Sequence, residues 1–499
     1  MVQTTLSPLK HHAAFKCPEY TAGGTFQSGE FQFEGSVDEG WTIIRNGETF
    51  MNLGSGYDIV QIILCGVCST DLARRFLPYP LPQIIGHEVV GLRNGRRVVV
   101  EINASHKARG IESPCSYCFD SMNTQCPDRI TLGIDRLPGG FSPFVLAPVK
   151  AIYPVPDSIS SVTAALVEPF AAALQGVDAS APKAGERVAV LGPRRLGTLV
   201  IAALKGYRAS TRLDFTITAL IRHAAIGGLC TALGADEVID VRTVDHSSLE
   251  RSFDVVYDTT GKVAGFEDAL RYTRRVLHLK STNGQVVCGL HQLTNLVVEE
   301  QAIVPFSLDA LNFTWPNENK GESPRQNRNI WIGPSVSKSQ LDSLKIPLKH
   351  QCHQIPPEET LKEALQNNEN NDNRKLFADS PYPRFDLAIA GSLNDIDLAI
   401  RPDPKTQISL VRARGAILLV PGSGDSPIEE ALANRHISIH TSRCGDFGRA
   451  IEILSANPEI GRAIEKMVTH VIPLSGIAEA FEIAASPKSI KVLVDMQTQ

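Results

Sequence analysis

The stretch Leu64-Cys-Gly-Val-Cys-Ser-Thr-Asp71 places the thiol of Cys68 directly after a run of β-branched residues. Further along, Gly86-His87-Glu88 offers an imidazole, and Glu168, which precedes a proline, offers a carboxylate. Cys68, His87 and Glu168 would form a three-ligand set that leaves the fourth position of a tetrahedral zinc open, as a catalytic zinc requires. The pattern is compatible with a zinc site that a substrate oxygen can enter, although a Cys and a His on either side of a loop are usually unrelated.

Three polar side chains beside these ligands are expected to take part in the chemistry. Thr70 lies two residues beyond Cys68, where its hydroxyl could carry a proton away from a bound alcohol. Asp71 and Glu88 adjoin ligands and could orient them through hydrogen bonds. We therefore predict Thr70, Asp71 and Glu88 as catalytic residues.

Length and composition restrict the class of protein. At 499 residues, with 43% hydrophobic and 21% charged residues, the chain is long enough for two or more domains. A net charge of -5 gives no reason to expect nucleic acid or an anionic membrane as partner. No apolar run approaches the roughly 20 residues that span a bilayer, and Met1 to Tyr20 lacks the apolar core of a secretory signal. The scattered cysteines are typical of a reducing compartment, so we expect a cytoplasmic protein.

Three blocks of sequence resemble the zinc-dependent medium-chain dehydrogenase/reductase family, in its polyol and threonine dehydrogenase branch. They are Leu64 to Asp71, Ile85-Gly-His-Glu-Val-Val-Gly91 and Leu166-Val-Glu-Pro169, and they occur in the family's order. The resemblance implies that Cys68, rather than Cys65, is the cysteine ligand. It also implies an α/β fold with a GroES-like, β-rich catalytic domain and a doubly wound Rossmann domain.

A second metal site is predicted around three further cysteines. Cys115 and Cys118 form a Cys-x-x-Cys pair, and Cys126 follows eight positions later, which is a structural-metal spacing. The family uses four cysteines here, and Glu112 stands where the first would be. A site of Glu112 and the three cysteines holding a structural zinc is one interpretation. The other is a degenerate lobe that packs without metal.

A dinucleotide-binding turn is predicted after the buried strand Arg187 to Leu191. The turn Gly192-Pro-Arg-Arg-Leu-Gly197 runs into an apolar helix, whose backbone amides and dipole would receive a pyrophosphate. Arg194 replaces the second glycine of the usual fingerprint, so it could either cover the pyrophosphate with charge or obstruct the site. The expected cofactor contacts in this turn are Gly192, Arg194, Arg195, Leu196 and Gly197.

The next strand indicates which cofactor binds. Phe215 to Ile221 ends in Arg222 and His223, where an NAD enzyme would place an acid for the ribose hydroxyls. An arginine pairs with a 2'-phosphate, so Arg222 favours NADP over NAD. The resemblance implies a further cofactor contact at Thr260, in the family-like stretch Phe253 to Gly261.

The second half of the chain contains a partly repeated segment. The order of elements in Phe253 to Phe306 recurs from Arg384 to Ile439, with an insertion at about residues 306–384 between the copies. The sequence leaves open which copy completes the cofactor sheet, although the second runs directly into a family-like C-terminal ending. The predicted domains are a GroES-like domain at 1–170 and 426–499 and a Rossmann domain at 171–425.

These features predict an oxidoreductase that transfers a hydride between NADP(H) and a small alcohol or polyol, or the matching carbonyl. One alternative is a zinc-free enone- or quinone-type reductase of the same fold. Another is a family member recruited to non-redox chemistry or to cofactor binding. The resemblance also implies a homodimer or homotetramer that acts on a small-molecule substrate.

Overall fold

The computed structural model describes residues 11–112, 115–119, 121–280, 284–315, 328–354, 384–402, 409–421 and 426–497. Much of the predicted insertion, at 316–327 and 355–383, lies outside the described residues, as does the start of the predicted N-terminal segment at 1–10. The chain divides into two compact units, Met1–Ala171 with Asp446–Gln499, and Ala172–Gly445.

The first unit is built mainly of antiparallel strands. A four-stranded sheet has the order β1-β2-β3-β4, and a seven-stranded sheet has the order β11-β7-β6-β5-β24-β23 with β10 paired to β5. Strands β8 and β9 form a small separate sheet. Its strands are β1 (His11–Tyr20), β2 (Phe26–Ser36), β3 (Gly40–Arg45), β4 (Glu48–Leu53), β5 (Tyr57–Gly66), β6 (Glu88–Arg93), β7 (Arg96–Val100), β8 (Asn103–Ala104), β9 (Ile130–Thr131), β10 (Phe144–Pro148), β11 (Ile152–Pro154), β23 (Val468–Pro473) and β24 (Lys491–Asp495).

Short helices connect these strands. The helices of the first unit are α1 (Ser69–Leu72), α2 (His106–Arg109), α3 (Ser116–Phe119), α4 (Ser161–Ala165), α13 (Phe447–Ala456), α14 (Pro458–Glu465) and α15 (Ile477–Ala485). Helix α5 (Val167–Ala179) begins in the first unit and ends in the second, because the boundary follows Ala171. Single 3-10 turns occur at Arg74–Phe76, Asn123–Gln125, Val149–Ala151 and Leu474–Gly476. The hydroxyl of Ser160 caps α4 by accepting a hydrogen bond from the Thr163 amide at 3.0 Å.

The second unit is built on one sheet of eleven strands, in the order β14-β13-β12-β15-β16-β22-β17-β21-β20-β18-β19. The strands are β12 (Arg187–Leu191), β13 (Thr216–Ile221), β14 (Glu237–Asp240), β15 (Phe253–Asp258), β16 (Thr273–Leu279), β17 (Ala302–Pro305), β18 (Asn329–Ile332), β19 (Gln351–His353), β20 (Phe385–Ala390), β21 (Val411–Leu419) and β22 (Ser438–Thr441). Central strands such as β12 and β20 are buried almost throughout, as parallel strands covered on both faces should be.

Helices connect the strands of this sheet. They are α6 (Arg195–Thr211), α7 (Gly227–Leu233), α8 (Val263–Tyr272), α9 (Leu293–Val298), α10 (Lys338–Ser343), α11 (Leu393–Ile400) and α12 (Pro427–Ala433), with 3-10 turns at Ala224–Ile226, His246–Leu249 and Asp309–Asn312. The chain order reverses between β12 and β15, which is the switch point of a doubly wound sheet. The predicted fold class is thereby confirmed.

The eleven strands form two halves that meet at one antiparallel contact. We call β14-β13-β12-β15-β16-β22 the first half-sheet and β17-β21-β20-β18-β19 the second half-sheet. Neighbouring strands are parallel within each half, whereas β22 and β17 are antiparallel. Strand β22 comes from the second sequence copy, so that copy completes the first half-sheet. Strand β22 and helix α12 lie in the second unit, which runs from Ala172 to Gly445, whereas the sequence prediction placed the end of the Rossmann domain at residue 425.

Candidate functional site: a metal centre and a dinucleotide turn

Cys68, His87 and Glu88 place one ligand atom each within 4.8 Å of one another. Cys68 follows β5 and precedes α1, whereas His87 and Glu88 lie at the start of β6. Strands β5 and β6 pair antiparallel, with Gly66 opposite Glu88, so the end of one strand meets the beginning of the other. The sheet register itself therefore brings these donors together.

Two buried charged side chains support this group. One carboxylate oxygen of Asp71 accepts a hydrogen bond from the Cys68 amide at 2.8 Å, and the other lies 3.3 Å from Nδ1 of His87. Lys491, in β24, forms an ion pair with Glu88 and donates to the carbonyl of Val67 at 3.2 Å. Asp71 is thus placed to orient both predicted ligands.

Several acidic side chains give the surroundings of this group a negative electrostatic potential. Burial acts to lower the pKa of His87, but the charges of Asp71 and Cys68 outweigh it and raise that pKa well above its ordinary value. For Glu168, burial raises the pKa to about 7, with the charge of Glu88 adding to the effect. Thiolate, imidazole and carboxylate donors in such surroundings suit a divalent cation, so the residues present fit a zinc ion.

The structure differs from the sequence in how it places the carboxylates. Glu88 lies in the compact group, whereas Glu168, at the second position of α5, lies outside it while remaining close enough to interact with the charge of His87. Glu168 therefore stays a predicted ligand, and Glu88 is a carboxylate donor that sequence reasoning assigned only a supporting role. Cys65 is fully buried and also outside the group. Thr70 lies in α1 and is partly exposed.

The second predicted site has a different fourth member. His106, Cys115, Cys118 and Cys126 place ligand atoms within 4.8 Å of one another. Glu112 is exposed and lies outside the group, whereas His106, which the sequence analysis did not single out, belongs to it. His106 lies in the helical turn that Ser105 caps by accepting from the Ala108 amide at 3.2 Å. Its Nδ1 accepts a hydrogen bond from the Cys115 amide at 3.1 Å, and its Nε2 lies 2.7 Å from a carboxylate oxygen of Asp128.

The chemistry of this second group suits a metal. Hydrogen bonding with Cys126 lowers the pKa of Cys118 below its ordinary value, which favours a thiolate at this position. Three cysteines and one histidine are a common structural zinc set. The residue type alone could have pointed to His106, because histidine accompanies cysteine at structural zinc sites more often than glutamate does.

The backbone of the dinucleotide turn has the geometry that lets a pyrophosphate approach closely. Gly192 adopts φ +72°, and a Cβ atom there would lie 2.6 Å from Cγ2 of Thr260. Arg194 precedes α6, whose 17 residues begin at Arg195, and Gly197 is buried in its first turn. Arg194, Arg195 and Leu196 are partly exposed. The start of α6 and the turn, where Gly192 has no Cβ atom, therefore fit a phosphate group.

The ends of β13 and β14 carry the charges that would face a ribose. Arg222 is 59% exposed, and its guanidinium lies 3.7 Å from the carboxylate of Asp268. Asp240 ends β14 opposite Ile221 and is paired to Arg242 at 2.6 Å, which lowers the pKa of Asp240 to about 2. Because Arg242 neutralises that carboxylate, the neighbouring acid does little to repel a 2'-phosphate.

Asp258 and Thr260 lie at the switch point of the sheet. Asp258 accepts hydrogen bonds from the Thr260 amide at 2.8 Å and from the Thr260 hydroxyl at 2.6 Å. Burial raises the pKa of Asp258 to about 6. This places Thr260 against the dinucleotide turn, in contact range of Gly192.

Comparison with known proteins connects the first unit with dehydrogenases. Residues 54–157 match the family of alcohol dehydrogenase GroES-like domains. Sorbitol dehydrogenase of Bacillus subtilis (strain 168) is 26% identical over 240 residues, which cover 44% of this chain and 65% of that protein. (R,R)-butanediol dehydrogenase of the same strain is 34% identical over 178 residues, covering 30% of this chain and 48% of that protein. The chain thus spans less than two thirds of the length of these curated relatives.

Solved structures share the fold over nearly the whole chain. L-idonate 5-dehydrogenase of Escherichia coli matches with a TM-score of 0.57 and 14% identity, covering 98% of this chain and 99% of that one. A Sinorhizobium meliloti 1021 protein described as a zinc-binding dehydrogenase, solved bound to NADP, matches with a TM-score of 0.52 and 18% identity, covering 97% and 99%. Within the described residues, no helix combines the length and the apolar character needed to cross a bilayer.

Proposed function

We propose that this chain, which belongs to the medium-chain dehydrogenase/reductase family, is a zinc-dependent oxidoreductase. Its reaction is hydride transfer between NADP(H) and a small alcohol or polyol, or the matching carbonyl compound. The observation that carries this proposal is the compact group of Cys68, His87 and Glu88, braced by Asp71 and Lys491. A reductase without catalytic zinc would have no use for that donor set.

Cys68 and His87 would hold the ion, with Glu168 or Glu88 as the carboxylate. When bound, zinc supplies a Lewis acid that polarises the substrate oxygen. The chain's own residues supply orientation and proton movement. Asp71 fixes the imidazole of His87 and the backbone of Cys68, Lys491 balances the buried charge of Glu88, and the hydroxyl of Thr70 carries the substrate proton outward.

The cofactor would bind along the first half-sheet. The turn at Gly192 and the helix start at Gly197 would receive the pyrophosphate, with Arg194, Arg195 and Leu196 lining it. Arg222 would pair with the 2'-phosphate and so select NADP, and Thr260 would contact the cofactor from the neighbouring strand end. The nicotinamide supplies the hydride chemistry when bound.

His106, Cys115, Cys118 and Cys126 would hold a second, structural zinc. The group is closed by four side chains, which leaves no place for a substrate and distinguishes it from the first group. A cytoplasmic location is part of the proposal, since the ten cysteines, all within the described residues, form no disulfides and thiolate ligands need a reducing compartment.

The test compares two neighbouring cysteines. Cys68→Ala should lose catalytic zinc and turnover while keeping its fold by circular dichroism, whereas Cys65→Ala, the matched control in the same strand end, should keep both. Turnover would be measured on a panel of polyols, secondary alcohols and aldehydes with NADP and with NAD. Full turnover by the Cys68 variant would refute the zinc assignment, and wild-type protein that binds neither cofactor would favour the non-redox alternative.

A further inference from the structure

The two sequence copies in the second unit exchange their last strands. The first copy runs β15, α8, β16, α9 and β17, and the second runs β20, α11, β21, α12 and β22. A simple repeat would place β17 beside β16 and β22 beside β21. Instead β22 pairs with β16, and β17 pairs with β21. Each half-sheet is therefore completed by a strand from the other copy.

Details of the two copies correspond closely. The register shifts at the start of the β15–β16 pair, between Phe253 and Val255, and at the equivalent place in β20–β21, between Phe385 and Leu387. The second residue of each strand is an aspartate whose carboxylate accepts a hydrogen bond from the backbone amide that starts the neighbouring strand. These bonds are Arg187 to Asp254 at 2.8 Å and Asn329 to Asp386 at 3.0 Å. The second half-sheet is thus a duplicate of the cofactor-binding half.

The contact between the halves is self-complementary. Ile439 lies opposite Leu277 in the first half-sheet, and Ile303 lies opposite Ile417 in the second, so the two isoleucines occupy equivalent places. They are also paired with each other across the antiparallel contact. Equivalent residues that meet each other are what a two-fold axis between identical subunits produces. Here both sides of that contact belong to one chain.

This contact covers an edge that would otherwise be open. An uncovered β22 would present unpaired backbone groups to a second chain, and such edges promote association. Within the described chain, β17 occupies that position.

The anion position of the duplicate is filled by the chain itself. After β18, the amide of Ser335 donates to the carboxylate of Asp395 at 3.3 Å, and after β20, the amide of Gly391 donates to it at 2.9 Å. The Ser335 hydroxyl also contacts this carboxylate. Asp395 is 1% exposed. A Cβ atom at Gly333 would collide with its carboxylate. Backbone amides at the ends of two such strands are what a phosphate would bind, and a carboxylate holds them here.

The corresponding position in the first half-sheet is apolar. Counted from Phe253 and Phe385, Asp395 corresponds to Val263, at the start of α8. The residue at this place in the first half-sheet therefore cannot act as an internal acceptor, and the buried carboxylate at the end of β15, Asp258, accepts hydrogen bonds from Thr260 instead.

We propose that the second half-sheet is an internal, cofactor-free partner. It covers in the same chain the edge through which a second copy would pair, and Asp395 permanently occupies its anion position. The protein accordingly works as a monomer with one dinucleotide per chain, in contrast to the homodimer or homotetramer predicted from sequence. The number of dinucleotides rests on the proposed function, whereas the mass of the particle does not.

The first test is the mass of the full-length protein in solution. Sedimentation velocity over a wide concentration range should show a single species with the mass of one chain, 54.2 kDa. A dimer would overturn the internal-partner proposal. Titration with NADPH should then give one site per chain, and two sites would show that the second crevice is open. Absence of any NADPH binding would count against the proposed function alone, because the mass still decides the internal partner.

The second test probes the anion position with inorganic phosphate. Asp395→Ala should melt at a lower temperature than wild type, and phosphate should raise its melting temperature more than it raises that of the wild type. The stoichiometry of NADPH should remain at one. Equal effects of phosphate on both proteins would overturn the role of Asp395. Should Asp395→Ala fail to fold, Ser335→Ala removes only one donor to the carboxylate, and it should be destabilised without any change in NADPH affinity.

Discussion

Acid should weaken the second unit at the point where the exchanged strand enters the first half-sheet. His278, in β16, lies directly opposite His440, in β22. The Nδ1 and Nε2 atoms of His278 lie 2.8 Å from the hydroxyl of Ser180 and 3.0 Å from that of Ser442, and the side chain is fully buried. The pKa of His278 is held well below its ordinary value, first by burial and then by the charges of Lys280 and His440.

The pKa of His440 is lowered as well. Its Nδ1 donates to the carbonyl of Ala179 at 2.9 Å, and the rings of Phe313 and Trp315 meet it edge-on. Burial lowers the pKa of His440 from 6.5 to about 4, and the charge of Arg275 adds to that effect. Both imidazoles must therefore remain unprotonated while β22 stays in place.

The direction of the pH effect follows from linkage. Between pH 6.5 and about 4 the unfolded chain binds a proton at His440 that the folded chain does not bind. The free energy of unfolding therefore falls as the pH falls, by about 1.4 kcal/mol per pH unit for each such histidine. For His440 alone the full loss is at most about 3 kcal/mol, a large share of the 5 to about 15 kcal/mol of a typical protein.

The assay is urea unfolding at several pH values above and below 6.5, monitored by circular dichroism. His440→Gln should reduce the slope of stability against pH by about 1.4 kcal/mol per unit in this range, and the double variant with His278→Gln by about twice that. His470→Gln, in the exposed part of β23, is the matched control and should keep the wild-type slope. Identical slopes in wild type and the double variant would refute the reasoning.

Three further predictions concern the sites. Lys491→Met should destabilise the protein by about 3 to 5 kcal/mol because it leaves Glu88 buried without a partner; adding Glu88→Gln should recover most of this in urea unfolding, and no recovery would contradict the pairing. Arg222→Ala should weaken NADPH binding about tenfold and leave NADH nearly unchanged in a fluorescence titration, whereas equal losses would exclude a 2'-phosphate contact. His106→Ala should lower the zinc content by about one ion per chain, and Glu112→Ala should not; the reverse result would restore the glutamate as ligand.

The sequence predicted the parts of the site that depend on local order. Cys68 follows a strand and His87 precedes one, and because these strands are antiparallel neighbours, their ends meet wherever the rest of the chain goes. The turn at Gly192 was equally predictable, since strand, glycine turn and helix are contiguous. In both places a short stretch of sequence determines the geometry.

The missed assignments depend on a loop path or on distance in space. The segment after Ala104 is longer than the family pattern, so counting back from Cys115 led to Glu112. A helical turn instead returns His106 to the cysteines. The closeness of Glu88 to Cys68 follows from the facing positions of Gly66 and Glu88 across two strands. The spacing of residues along the sequence shows neither the path of the loop after Ala104 nor which residues face each other across two strands.

The strand exchange was beyond sequence reasoning for a different reason. Both copies have the same order of elements, and both last strands are short and buried, so either could lie beside β16. Specific contacts decide the pairing. Lys280, at the end of β16, donates to the carbonyl of Ser442 at 3.2 Å and to its hydroxyl at 2.8 Å, just beyond β22. Thr441 meanwhile donates to the carbonyl of Gln301, just before β17, at 2.7 Å.

These contacts explain what the duplicate has kept and what it has lost. Pairing along β16, β22, β17 and β21 buries apolar strands on both sides, so loss of either exchanged strand would expose the core of both halves at once. Because both cores depend on the exchanged strands, the second copy is retained for structural reasons. The anion position of the second copy does not need a ligand, because the carboxylate of Asp395 accepts hydrogen bonds from the amides of Ser335 and Gly391 without any cofactor. A duplicated nucleotide fold can therefore keep its strand pairing while its crevice closes, and the first half-sheet, with Val263 in place of that carboxylate, is the one left to bind.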